Sequence, residues 1–148
     1  MIATTFAAAA PRGPAVDAHY TYAAGQPVKG KWKSAMPVAV VYSDKGGKLE
    51  ITPGQLKFKR GQVVKFSVRN DTDVKHEFVL GTTTENLGHA ESMKVSPDFE
   101  HHEINGRVMR PKSTVDLQWQ FMNTGTFEFA CLVPGHAETE IRGEVIVE

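Results

Sequence analysis

With one cysteine, Cys131, among 148 residues, the chain can form no internal disulfide. It also lacks any excess of charge. Its 17 Lys and Arg balance 17 Asp and Glu, so the electrostatic footprint of a nucleic-acid or anionic-membrane binder is missing. No apolar run reaches the length of a membrane span, and no internal repeat is visible. What is left is a chain of one-domain length, able to bury about two-thirds of its unfolded surface. A lone thiol in an exported chain is a liability unless something occupies it, and a metal ion is such an occupant.

The first ten residues, MIATTFAAAA, are small and apolar. They resemble the apolar region of a secretory signal without its basic start. Ala7-Ala8-Ala9 and Val16-Asp17-Ala18 both fit a small-residue cleavage pattern, so residues 1–18 are read as a signal or leader and the protein as exported, to a periplasm or its equivalent. Residues 19–37, with Pro, Gly and Ala and little periodicity, read as an extended segment. The domain proper is expected over 38–148.

From Val38 the pattern is that of short strands between turn signals. Expected strands cover 38–42, 48–52, 55–59, 62–69 and 107–111, with a turn at Asp44-Lys45-Gly46-Gly47. Residues 114–121 alternate most cleanly, with Val115, Leu117, Trp119 and Phe121 inward and Asp116, Gln118 and Gln120 outward. His76, Phe78 and Leu80 share one face of another strand, and Phe127, Phe129 and Cys131 share one face of a later one. A last strand closes the sheet over 143–148. Residues 81–106 interrupt this rhythm as an insert, and Thr82-Thr83-Thr84-Glu85 can cap a short helix over about 83–94. The fold class is all-β: a Greek-key β-sandwich with a short helix in the insert.

The chemistry gathers at Cys131-Leu132-Val133-Pro134-Gly135-His136. Pro134-Gly135 turns the chain so that His136 swings back toward the thiol. A thiolate beside an imidazole begins a copper site, a zinc site or a Cys/His catalytic pair. A second histidine, His76 in HEFVLG, completes a trigonal set suited to redox copper. Zinc prefers a fourth good ligand. A catalytic pair wants an orienting Asn or Asp and leaves His76 without a role. The protein is therefore read as a metal-binding protein and not an enzyme.

His76, Cys131 and His136, in the contexts HEFVLG and CLVPGH, resemble the cupredoxins, the small blue copper proteins. The resemblance covers roughly residues 38–148, and the HEF context is similar to a periplasmic subgroup associated with copper tolerance. It implies one type 1 copper on those three ligands. It also implies an axial methionine five residues after the loop histidine, and Ile141 stands there instead. Either Ile141 is inert and the copper three-coordinate, or the neighbouring Glu140 supplies an oxygen. In the insert, His89, Met93, His101 and His102 suggest a second, weaker copper site. Two functions follow: a one-electron carrier with an unnamed redox partner protein, or a copper-tolerance protein that binds, buffers or oxidises copper. No nucleic-acid partner is expected, no membrane span, and a monomer.

Overall fold

Val64, Phe66 and Val68 point inward from β5 (Val63–Asn70), and Leu117, Trp119 and Phe121 from β8 (Thr114–Phe121), all between 0 % and 1 % exposed. The two strands run antiparallel with Phe66 opposite Leu117. Alternation of period two thus makes one apolar wall. The computed structural model describes residues 22–95, 104–134 and 141–148.

The other elements are β1 (Gly25–Pro27), β2 (Met36–Lys45), β3 (Lys48–Thr52), β4 (Gln55–Phe58), β6 (His76–Gly81), α1 (Thr83–Val95), β7 (Gly106–Met109), β9 (Gly125–Ala130) and β10 (Arg142–Val147). One sheet has the order β1-β8-β5-β2-β3 and the other β4-β10-β9-β6-β7. The chain changes sheets repeatedly, which places β2 parallel to β5 and β4 parallel to β10 within otherwise antiparallel sheets. The all-β sandwich with one short helix is as the sequence suggests.

Aromatic rings join the two walls. Phe66 meets Phe78 at 5.3 Å between centroids, Phe78 stacks on Phe129 at 5.3 Å, and Phe58 stacks on Phe121 at 5.0 Å. Each such side chain contributes about 1.5–3 kcal/mol by leaving water. Gly143 stands opposite Phe129 on the neighbouring strand, and a Cβ at Gly143 would run into that ring. Only hydrogen fits there.

The details depart from the sequence reading in instructive ways. β2 runs on through Asp44 and Lys45, so the turn is the two residues Gly46-Gly47, with φ of 63° and 84°. Such a tight hairpin needs positive φ at both positions, which glycine supplies without strain. The segment read as extended contributes β1, a three-residue strand held by pairing of Pro27 with Trp119. That strand accounts for Gln120, assigned outward yet 2 % exposed. Gln26 Nε2 donates to its Oε1, and its own Nε2 donates to the Gly61 carbonyl.

The capping box forms as expected. Glu85 N–H donates to Thr82 Oγ1 at 3.1 Å, and Thr82 N–H donates to Glu85 Oε2 at 2.8 Å. The helix then lays Ala90 and Met93 on Val79, Ala130 and Leu132. All six residues of β6 are buried for this reason: the core covers one face and α1 helps cover the other.

Candidate metal centre

The approach to β6 is set by one amide. Asn70, 0 % exposed at the end of β5, donates from Nδ2 to the carbonyls of Val74 (2.8 Å), Arg110 (3.1 Å) and Met109 (3.2 Å). Its Oδ1 accepts from Thr72 N–H at 3.0 Å and Thr72 Oγ1 at 2.8 Å. A side chain with both donors and an acceptor is what this tight loop needs, since its backbone groups are turned inward. The loop so fixed delivers His76, fully buried, as the first residue of β6. Met109 faces His76 across the β6–β7 ladder, also fully buried, and the Tyr42 ring lies 5.6 Å away.

Cys131 follows β9 directly and is fully buried. Its N–H still donates to the Ile141 carbonyl at 3.1 Å, which ties the end of β9 to the residue before β10. Its Sγ lies 3.6 Å from His76 Nδ1 and accepts the Glu77 N–H at 3.4 Å. Burial pushes the thiol up from an ordinary value of 9.0 to about 11, against the pull of hydrogen bonds from the backbones of Glu77 and Val133. Burial also holds Tyr42 well above its ordinary value, and its hydroxyl donates to the Glu77 carbonyl at 2.9 Å.

The pair fits a shared metal ion. Bonds of about 2.0 Å to an imidazole nitrogen and 2.3 Å to a thiolate, opening at roughly 115°, leave the two atoms about 3.6 Å apart. A cation there offsets the cost of ionising a buried thiol, so binding releases a proton. Among the described residues, no three of His, Cys, Asp and Glu converge. The expected third ligand, His136, lies outside the described residues, as does Glu140. Ile141 is 7 % exposed and packs in the same apolar cluster as Cys131.

Of the second group, Met93 is 3 % exposed and packs in the cluster between α1 and the sheet. His89 is partly buried on the same helix, and His101 and His102 lie outside the described residues. Sequence reasoning passed over Asn70, Tyr42, Glu77 and Met109. Their part in the site comes from strand pairing and loop contacts; His76 and Cys131, by contrast, advertise their chemistry by residue type.

No family model matches the chain. It is 37 % identical over 115 residues to the copper-resistant cuproprotein CopI of Rubrivivax gelatinosus, covering 78 % of this chain and 68 % of that one. To the protein of the same name from Vibrio cholerae it is 35 % identical, with 77 % and 66 % covered. Among solved structures it superposes on auracyanin B with a TM-score of 0.68 at 18 % identity, over 84 % of this chain and 96 % of that one. On auracyanin A, a blue copper protein of Chloroflexus aurantiacus, the TM-score is 0.60 at 23 % identity, over 76 % and 99 %. The structures speak for a cupredoxin sandwich, and the sequence identity goes further: the chain belongs to the family of the copper-resistant cuproproteins CopI.

Proposed function

We propose that the protein binds one copper ion through His76, Cys131 and His136 and serves copper tolerance outside the cytoplasm, cycling the ion between Cu(I) and Cu(II). The observation that carries this is the 3.6 Å approach of a buried imidazole to a buried thiol. A soft thiolate satisfies Cu(I), imidazoles satisfy both states, and a rigid apolar shell limits rearrangement between them. His76 and Cys131 stand on the ends of paired strands, so the sheet itself holds them apart at metal-bridging distance. Copper, when bound, supplies one-electron chemistry; the chain supplies position and exclusion of water.

The shared name of the relatives favours tolerance over general electron transport. Electron carriage remains within the proposal, because a tolerance protein that oxidises Cu(I) must pass one electron to a partner protein. Ile141 is proposed as a non-coordinating neighbour of the metal, in keeping with its place in the apolar cluster. No catalytic residue is assigned, and a monomer suffices. The test is growth at raised copper of a strain lacking the protein and supplied with wild type or Cys131→Ser. Rescue by wild type alone is expected. Equal rescue by both would separate tolerance from the thiolate and refute the proposal.

A further inference from the structure

The carboxylate of Glu128, three residues before Cys131, points to the side of the second sheet that α1 covers, and the residue is 7 % exposed. Oε1 accepts from Asn86 Nδ2 at 3.1 Å. Oε2 accepts from Arg142 Nη1 at 3.1 Å and from Thr83 Oγ1 at 3.4 Å. Two of these donors belong to the start of α1 and the third is the first residue of β10. Asn86 is itself 2 % exposed, and its Oδ1 would lie 2.8 Å from a Cβ on Gly81, so a bare backbone at Gly81 admits it.

Taking a carboxylate out of water is costly, and apolar side chains fill such space with less penalty. A buried charge with three converging donors from two other elements specifies an arrangement more than it adds stability. The arrangement leads to the thiol. Arg142 pairs with Ala130 across the ladder, and the residue before it, Ile141, accepts the Cys131 N–H. One carboxylate therefore joins the insert helix to both strand ends at the candidate centre.

We propose that Glu128 is a positioning residue that locks α1 to the ends of β9 and β10, so that the insert governs how Cys131 is presented to the metal. Its purpose rests on the copper reading above, but the lock is tested without metal. The rate at which Cys131 is alkylated by iodoacetamide is measured on the metal-free full chain, as wild type, Glu128→Gln and Val64→Ala. Val64→Ala destabilises the protein from the other sheet, where Val64 is paired with Met36 and Trp119, and leaves α1 and the ends of β9 and β10 untouched. A fully buried thiol reacts only when its surroundings open. Glu128→Gln is expected to react about tenfold faster, the change given by losing about one charge-assisted hydrogen bond that holds the surroundings closed. Val64→Ala should stay near wild type even where its melting temperature falls as far.

Copper-loaded Glu128→Gln should also show a shifted thiolate-to-copper band and reduction potential, with Val64→Ala unshifted. Equal rates for Glu128→Gln and wild type would overturn the lock, and so would a Val64→Ala rate that matches Glu128→Gln. A wild type that takes up copper without a thiolate band, while the three rates differ as expected, would sink the copper reading and uphold the lock.

Discussion

Replacing Asn70 with alanine removes the amide that organises the approach to His76. The Val74, Met109 and Arg110 carbonyls lose a shared donor, and Thr72 loses an acceptor for its N–H and its hydroxyl. Each net hydrogen bond contributes about 1 kcal/mol, and each buried group left without a partner costs about 1–3 kcal/mol. Water can reach the exposed Val74 and Arg110 side of the loop, so the sum is set nearer the lower bound, at roughly 3–5 kcal/mol. For a chain of this length, about 2–4 °C per kcal/mol gives a melting temperature lower by roughly 6–20 °C. Thermal unfolding of the metal-free protein, followed by circular dichroism, reads this directly. Asn70→Asp keeps the acceptor for Thr72 but sets a carboxylate against three carbonyls, and should be no more stable than Asn70→Ala. A melting temperature within 2 °C of wild type for Asn70→Ala, inside the range of an ordinary surface change, would refute the reasoning.

Further outcomes follow from the same contacts. The metal-free protein should lose about 3 kcal/mol of stability between pH 9 and 11, because the Cys131 thiol ionises in the unfolded chain near 9.0 but only at about 11 when folded. The raised folded value means full stability below that window and loss above it; Tyr42 acts in the same direction, and denaturant titrations of Cys131→Ser should show a shallower fall. Gly143→Ala should destabilise by about 1–3 kcal/mol, since a methyl there overpacks against Phe129; chemical denaturation checks it. Ile141→Met should lower the reduction potential of the copper-loaded protein by adding a thioether, whereas Glu140→Gln should leave its spectrum unchanged; a large change in Glu140→Gln would make the carboxylate the axial ligand. Titrating Cys131→Ser with Cu(I) and Cu(II) tests the second site, which requires binding that disappears when His89, Met93, His101 and His102 are replaced together.

How much of this was legible in the sequence depended on the range of the cause. The alternation of β8 and β5 is local, and Leu117, Trp119, Val64 and Phe66 fell where their spacing put them. The Thr82–Glu85 capping box is also local, and the helix began where it should. β1 was missed because Gly25, Gln26 and Pro27 carry no pattern of their own. Their strand character comes from pairing with β8, more than ninety residues away. The same pairing buried Gln120. Glu128 occupies an outward position in the alternation, and only the docking of α1 turns that position into an interior one. At the site, His76 and Cys131 were legible because few other roles suit a lone Cys and a distant His in those contexts. Asn70 was not, because a turn asparagine looks alike whether its amide meets water or the three carbonyls that hold this loop.

The central claim is most directly tested by the visible absorption spectrum of the copper-loaded protein beside that of Cys131→Ser. The account predicts an intense thiolate-to-copper band at one copper per chain in the wild type, lost in Cys131→Ser, where the oxygen that replaces Sγ beside His76 Nδ1 cannot supply it. A band that survives in Cys131→Ser, or a wild type that binds copper and shows none, would contradict it.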